Sequence, residues 1–414
     1  MTAPRRILLA DADQFFVAVA RLEDPEGAGQ AARLIVGGRP GGRGVVCSAS
    51  YETRAFGVRS GMPIGRALRL CPDAMCIPVP RGACVRMSRA IRTVLERFTP
   101  IVRGASIDEW YLDLSGTEAL YHHEPLAETA QRMRAAVREA TGLSVSFGGG
   151  TNRLIAKLAV EFGKPKPGTD RTGVFVVEPG QEAAFLAERV SLADIPGVGP
   201  RFQQALAARE LVRAADVLPH DLTTLSRWFG PRTGEWLWRR VRGMGDSAVT
   251  VREPAKSVSR EGTFARDLSS EPPIRREVAA LAAKVAADLR SDRLMARTIT
   301  VKLKYTDFSI RSASRTLQEP VESDRAVTDT AMELLATLRK RRRAPIRLAG
   351  VGLSGLSDSA DRQSGLFDDS RAPEAAAPAP ESARDRSLSH AVDRIRGKFG
   401  DGAVQRGQGR DRAI

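Results

Sequence analysis

The sequence predicts a multidomain α+β protein, and three observations carry that expectation. The chain has 414 residues, more than one hydrophobic core normally serves. Short apolar runs of strand length alternate with segments of helical spacing through about residue 177. A second alternation of the same kind begins near residue 258, after a mainly helical stretch and a polar linker.

The first strand is Ile7-Leu8-Leu9-Ala10, which runs into Asp11-Ala12-Asp13. Leu34–Val36, Val45–Cys47, Trp110–Leu114, Leu143–Phe147 and Val174–Val177 read as further strands. Leu126–Ala140 and Arg153–Phe162 have helical spacing between them. Residues 178–248 are mainly helical, punctuated by Pro196-Gly197-Val198-Gly199-Pro200 and Phe229-Gly230-Pro231. A polar linker follows near 249–257. In Thr298–Tyr305, period-two alternation puts Ile299, Val301, Leu303 and Tyr305 on one face. Thr298, Thr300, Lys302 and Lys304 face the other way. The basic run Arg339-Lys340-Arg341-Arg342-Arg343 precedes the last strand. From about 358 the composition turns to Ser, Asp, Ala and Pro, and 370–386 read as disordered. Leu388, Val392, Ile395 and Phe399 fall at helical spacing, with Gly400 as the C-cap.

The charge balance names a partner class. Lys and Arg total 64 against 49 Asp and Glu, a net charge of +15. That surplus favours a polyanion, either nucleic acid or an anionic membrane. No apolar run approaches the length of a membrane span. Arg5-Arg6 precede only four apolar residues and then acids, which is not a signal peptide. Nucleic acid is the better partner, and the cytoplasm the expected location. Cys47, Cys71, Cys76 and Cys84 match no disulfide framework or common zinc spacing and are expected to be mostly buried thiols. His122-His123 sits in a polar loop, where a surface role is expected.

Two strands deliver carboxylates. Ser106-Ile107-Asp108-Glu109 runs straight into the Trp110 strand, as the first strand runs into Asp11. Adjacent carboxylates beside an apolar run are costly unless something cationic offsets their repulsion and desolvation. Any one of them alone reads as a solvated turn residue. Together they suggest one shared divalent-metal site, and hard oxygen ligands around Mg²⁺ usually mean phosphoryl chemistry. Tyr51 and Arg54 lie three apart, so on a helix they share a face, and a phenol beside a guanidinium suits a triphosphate.

The constellation resembles the Y-family translesion DNA polymerases, in particular the bacterial DNA polymerase IV (DinB) type. Asp11-Ala12-Asp13-Gln14-Phe15-Phe16-Val17-Ala18-Val19 resembles the family's first acidic motif with its paired aromatics. The stretch Ser50-Tyr51-Glu52-Thr53-Arg54-Ala55-Phe56-Gly57-Val58-Arg59-Ser60-Gly61-Met62-Pro63 is similar to its distinctive fingers motif. Ser106-Ile107-Asp108-Glu109 matches the second acidic motif, and Asn152 to Lys157 with Gly163-Lys164-Pro165 match the palm helix and the lysine loop after it. The likeness covers about residues 5–357 in the family's order.

This resemblance implies a right-hand polymerase. A ferredoxin-like palm would occupy 1–13 and 80–169, small fingers 14–79, and a helical thumb with a helix-hairpin-helix 170–248. A linker at 249–257 would lead to an α+β little finger at 258–357. A largely disordered tail, 358–414, would carry a clamp-binding peptide at 363–367 and a short terminal helix at 387–399. Every segment is then assigned, so no proofreading exonuclease is expected.

The resemblance also implies roles. Asp11, Asp108 and Glu109 would be the catalytic metal ligands for two Mg²⁺ ions, with the Ala12 carbonyl completing one shell. Asp13 would be structural. Phe16 would be the steric gate, a flat apolar wall leaving a 2′-hydroxyl no room and no partner. Phe15, Phe16, Ser48, Tyr51, Arg54 and Lys164 would bind the dNTP, and Lys157 would support the palm helix or primer strand. Two departures stand out. Ala12 replaces a bulkier residue, commonly Met, which is tolerable because only its carbonyl is needed. Gly148-Gly149-Gly150 is Gly-rich for its place and is expected to loosen the palm before its helix.

For DNA, Ile195 to Pro200 resembles a helix-hairpin-helix turn, in which Gly197 and Gly199 would let backbone N–H groups approach a phosphate. Lys302, Lys304 and the 339–343 run would track primer and template phosphates. Gln363-Ser364-Gly365-Leu366-Phe367 resembles the Gln-x-x-Leu-Phe peptide that binds the sliding clamp, so Gln363, Leu366 and Phe367 are the expected clamp contacts. The terminal helix is expected either to meet a partner or to fold back on the polymerase. The expected partners are primer-template DNA, dNTPs and the clamp, with the chain a monomer. Two rivals stay in view: a non-catalytic adaptor that keeps the fold, and a helix-hairpin-helix nuclease or glycosylase.

Overall fold

The computed structural model describes residues 4–165, 169–251, 254–359, 381–400 and 402–404. The chain divides into two compact units, Met1–Glu253 and Pro254–Ile414. The division falls inside the polar stretch expected to be a linker. No helix among the described residues is long and apolar enough to cross a membrane.

The first unit runs β1 (Ile7–Ala12), α1 (Phe15–Glu23), β2 (Leu34–Gly37), β3 (Val46–Ala49), α2 (Tyr51–Ala55), α3 (Ile64–Leu70) and β4 (Met75–Pro78). It continues through α4 (Arg81–Leu95), β5 (Val102–Gly104), β6 (Glu109–Asp113), α5 (Leu126–Thr141), β7 (Val145–Gly150), α6 (Arg153–Gly163) and β8 (Val174–Val176). Helices α7 (Glu182–Arg189), α8 (Pro200–Ala207), α9 (Ala214–Val217), α10 (Leu222–Phe229) and α11 (Pro231–Val241) complete it.

Its main sheet has the order β5-β6-β1-β7-β8. Strand β1 is central and every residue in it is buried, which is why Ile7 to Ala10 read as an unbroken apolar run before Asp11. Alternation along it divides two layers. Leu8 and Ala10 join the core under α4 and α5, with Ile91, Met133 and Val137. Ile7 and Leu9 face α6, against Ala156 and Val160.

The three glycines of β7 do not loosen this sheet. All are buried within the strand. A Cβ on Gly148 would lie 2.2 Å from the Ala156 carbonyl oxygen and from the Val160 nitrogen. The missing side chain is therefore what lets α6 lie flush on the sheet.

Strands β3-β2-β4 form a second, three-stranded sheet with its own small core of Ile35, Val46, Val58 and Ile64. Helix α1 lies on both cores: Phe15 and Val19 pack in the main one, Val17 and Ala20 against Leu34 and Val36. Helices α7–α11 gather around Leu186, Leu206, Leu225 and Leu237, and α6 contributes Leu154 and Leu158 to that cluster. Of the four thiols only Cys71 and Cys84 are buried; Cys47 is exposed and Cys76 half-buried.

The second unit comprises β9 (Ser257–Leu268), α12 (Glu271–Ser291), β10 (Leu294–Tyr305), β11 (Ile310–Val321), α13 (Asp324–Arg341), β12 (Ile346–Asp358) and α14 (Ala383–Phe399). Its sheet has the order β11-β10-β12-β9, antiparallel throughout. Ile299, Val301, Leu303 and Tyr305 are fully buried against α12 and α13, as the alternation requires.

Helix α14 folds back on this unit, and by its polar side. It begins four residues before the expected start because Ser382 and Asp385 form a capping box. Arg290, 6 % exposed, donates to both Asp393 carboxylate oxygens, at 2.6 and 2.9 Å. It also pairs with Asp324 at 2.8 Å. Glu381, just before α14, accepts from the Glu322 and Ser323 backbone N–H groups, and the Ser389 hydroxyl accepts from Asp324 N–H. Leu388, Ile395 and Phe399 stay exposed. The spacing correctly marked a helix, but its apolar stripe is not the side that docks.

Candidate active site

The antiparallel pairing of β1 with β6 sets Asp11 opposite Glu109. The Ala12 N–H donates to the Asp108 carbonyl at 2.9 Å, so both acidic motifs meet at one end of the sheet. Helix α6, held close by Gly148, brings two lysines to the same place. Lys164 Nζ donates to Asp11 Oδ2 at 3.0 Å and to Glu161 Oε1 at 2.6 Å. Lys157 Nζ donates to Glu109 Oε1 at 2.5 Å and lies 4.0 Å from Asp11 Oδ2. Asp108 instead accepts from the Ser106 hydroxyl two residues back.

The three carboxylates are thus not drawn around one point. Among the described residues no group of three His, Cys, Asp or Glu side chains is placed to hold a metal ion. Two ammonium groups offset the like charges of Asp11 and Glu109, and a hydroxyl turns Asp108 aside. Burial pushes the Asp11 carboxyl up to about 6 in spite of Lys164 and Lys157. Burial by itself would lower the Lys164 ammonium, but Asp11 and Glu161 hold it above its usual range. The donor set of three carboxylates and a backbone carbonyl on two paired strand ends is the hard-oxygen kind that suits Mg²⁺.

Next along the chain, Asp13 is held by the hydroxyls of Ser144 and Ser146, each at 2.8 Å. Gln14 is the N-cap of α1 with φ 48° and ψ 39°, a left-handed conformation. Phe15 is 2 % exposed and packs in the sheet core. Phe16 is half-buried and meets Phe15 edge to face at 5.5 Å.

Helix α2 is pinned by buried hydroxyls. Ser50 accepts from the Thr53 N–H at its start and donates to the Ala32 carbonyl at 2.8 Å. That fixes Tyr51 and Arg54 on one face, with the guanidinium carbon 5.5 Å from the Tyr51 ring centre. Arg54 Nε donates to the Ala49 carbonyl at 2.9 Å. Burial and the nearby Asp13 charge raise the Tyr51 phenol above its ordinary range, so it keeps its proton at neutral pH.

A cavity of about 180 Å³ brings these groups together. Asp11, Ala12, Phe15, Ser48, Tyr51, Arg54, Asp108 and Lys164 line it, as do Asp13, Gln14, Cys47 and Ser60. Glu109 and Phe16 are not in its wall. Gln14 and Ser60 lie within the first acidic and fingers motifs without having been expected as site residues, and Lys157, expected to support the palm helix or primer strand, donates to Glu109.

The expected DNA contacts fall differently. Gly197 has φ +105°, and a Cβ there would come within 2.8 Å of the Trp236 ring; Gly199 has open space beside it. Lys302 is not a free cation. Its ammonium donates to Glu261 at 2.7 Å, reaching across Gly350, which stands between them in the sheet register. Lys304 lies 4.8 Å from the Phe308 ring centre. Arg339 is 5 % exposed and spent on Glu271 and two backbone carbonyls; Arg342 is spent on Asp307 and Ser309. Both are paired within the second unit, and Lys340, Arg341 and Arg343 of the same run are exposed. Gln363, Leu366 and Phe367 lie outside the described residues.

This architecture is that of the Y-family DNA polymerases. It matches a Y-family polymerase chimera of Dbh and Dpo4 with a TM-score of 0.74, covering 84 % of this chain and 98 % of the chimera at 24 % identity. DinB from Sulfolobus solfataricus matches with a TM-score of 0.56 over the same shares and at the same identity. Residues 10–161 match the impB/mucB/samB family, and residues 255–366 match that family's C-terminal domain. The DNA polymerase IV of Xanthomonas euvesicatoria pv. vesicatoria is 37 % identical over 86 % of this chain and 96 % of its own length. That of Desulfatibacillum aliphaticivorans is 35 % identical over 96 % of this chain and 95 % of its own. The chain belongs to the impB/mucB/samB family and is a DinB-type Y-family enzyme, a DNA-directed DNA polymerase.

Proposed function

We propose that this translesion polymerase extends a primer on damaged template by two-metal nucleotidyl transfer, without proofreading, and that the sliding clamp recruits it. One observation supports the chemistry most directly. Asp11 and Asp108 line one 180 Å³ cavity together with Tyr51, Arg54 and Lys164.

Asp11, Asp108, Glu109 and the Ala12 carbonyl would hold the ions. When bound, two Mg²⁺ ions would lower the pKa of the primer 3′-hydroxyl and neutralise the departing pyrophosphate. Tyr51 and Arg54 present an O–H and a guanidinium fork to the triphosphate. Lys164 turns from Asp11 to the same phosphates. Phe16 lies under the deoxyribose and excludes a 2′-hydroxyl. Gly199, open at the start of α8, and Gly197 present backbone N–H groups to a duplex phosphate, and Lys304 adds a cation from the second unit.

Clamp recruitment rests on Gln363-Ser364-Gly365-Leu366-Phe367. Loss of clamp-stimulated synthesis on replacing Leu366 and Phe367 by Ala, with basal synthesis intact, tests it. Primer extension with dNTPs and Mg²⁺ tests the chemistry. The wild type should extend and Asp108→Ala/Glu109→Ala should not; extension by neither favours an adaptor, and full extension by the variant overturns the assigned carboxylates.

A further inference from the structure

We propose that Phe308, at the tip of the β10–β11 hairpin, is a stacking platform for an unpaired DNA base, with Lys304 and Arg347 placed for the phosphates beside it. This rests on the reading that the second unit meets DNA.

The first observation is a ring held against local preference. Phe308 has φ 64°, a left-handed backbone in which a bulky residue is an outlier and Gly or Asn is at ease. Burial does not offset that strain, because the residue is 58 % exposed. The tip is nevertheless pinned. The Tyr305 N–H donates to the Ser309 carbonyl and the Phe308 N–H to the Tyr305 carbonyl, each at 3.0 Å. Arg342 donates to the Ser309 hydroxyl and to Asp307, each at 2.8 Å.

The second is what surrounds the ring. Lys304 Nζ lies 4.8 Å and the Arg347 guanidinium carbon 4.9 Å from its centre. The two cations come from neighbouring strands, β10 and β12. Unlike Lys302, which is paired with Glu261, neither is in an ion pair among the described residues. Lys340, Arg341 and Arg343, on either side of the Arg342 that pins the tip, are exposed as well.

These groups select the occupant. An exposed aromatic face among unpaired cations is the chemistry that holds single-stranded nucleic acid: a base stacks on the ring and the cations take the backbone. A base inside a duplex is already stacked above and below, so only an unpaired base can offer its face. A second copy of this chain, itself at +15, would bring like charge to the same cations.

Fluorescence anisotropy of the full chain with a labelled primer–template carrying a single-stranded template overhang tests this. Phe308→Ala should raise Kd about tenfold, the scale of one lost base–aromatic stack, and Phe308→Trp should keep the wild-type value. Phe308→Asn, which suits the left-handed turn, should weaken binding as Phe308→Ala does, both at the wild-type melting temperature. With an abasic overhang, or with a blunt duplex, wild type and Phe308→Ala should bind alike, because no unpaired base is left to stack. Lys304→Ala/Arg347→Ala should weaken binding to the ordinary and the abasic overhang and flatten the salt dependence. Equal Kd values for wild type and Phe308→Ala on the ordinary overhang would overturn the proposal. So would the same loss on the abasic overhang, or a loss confined to variants whose melting temperature falls. A wild type that binds no primer–template would sink the underlying DNA reading instead.

Discussion

Lys164 reaches across 153 positions of the chain to donate to Asp11 at 3.0 Å, and with Lys157 it offsets the charges of Asp11 and Glu109. Asp11 is 8 % exposed, so removing the nearer cation leaves a nearly buried carboxylate. Lys164→Met should cost about 1–3 kcal/mol in urea denaturation. Saturating MgCl₂ should raise the midpoint more in the variant than in the wild type, because the carboxylates then gain a cation they lack. Equal responses to Mg²⁺ would contradict the assignment of these oxygens to a metal.

Gly148 and Gly149 should differ sharply in tolerance. A Cβ on Gly148 meets α6 backbone, which cannot yield. One on Gly149 meets the side chains of Val176 and Leu8 at 2.8 and 3.0 Å, which can. Gly148→Ala should lose about 3 kcal/mol or more, and Gly149→Ala about 1. Because α6 carries Lys157, the Gly148 variant should also lose activity at temperatures where it remains folded. Equal losses would show that α6 is not held by this contact.

Arg290 joins α14 to its unit. Arg290→Met removes a buried guanidinium that pairs with both Asp324 and Asp393, so a loss of at most about 3–5 kcal/mol is expected. Asp393→Asn keeps Asp324 paired and should cost far less. Limited trypsin digestion checks the docking: cleavage within 384–398 should be much faster in both variants than in the wild type. Unchanged cleavage would mean that the ion pair does not hold the helix.

Hydrogen bonds from Arg342 and Ser309 hold the Asp307 carboxyl at about 2, below its usual 3.8. A depressed acid stabilises the fold above its unfolded value and loses that contribution as pH falls through the folded one. The wild type should therefore exceed Asp307→Asn in stability above about pH 4. The gap should close on acidification toward about pH 2. Denaturation at a series of pH values measures it; a gap independent of pH would remove the carboxylate from the account.

Phe16→Val should admit ribonucleotides, raising their kcat/KM relative to dNTPs on the order of a hundredfold. Competitive incorporation of a matched rNTP and dNTP reads this directly. An unchanged ratio would move the sugar wall elsewhere.

The parts legible in the sequence were those written in local chemistry. Four of the six consecutive buried positions in β1, Ile7 to Ala10, show as an apolar run, and the buried face of β10 shows as strict alternation. Tyr51 and Arg54 share a helix face because they lie three apart. The triple glycine was visible but misjudged, since a glycine's role depends on which backbone approaches it. Within the basic run at 339–343, composition counts charges, and only packing shows that Arg339 and Arg342 are already paired while Lys340, Arg341 and Arg343 stay exposed.

The sequence by itself determined the acidic strand ends, the Tyr51–Arg54 spacing and the polar stretch in which the two units part, because strand and helix periodicities are local and motif spacings are fixed by the chain. The tertiary structure decided the rest. Sheet register set Asp11 against Glu109, and the absent Cβ of Gly148 let α6 deliver Lys157 to them. Buried Arg290 chose the polar side of α14 for docking. Each joins residues far apart in sequence, and the cost of burying an unpaired charge or of a backbone clash depends on a neighbour that only the folded chain supplies.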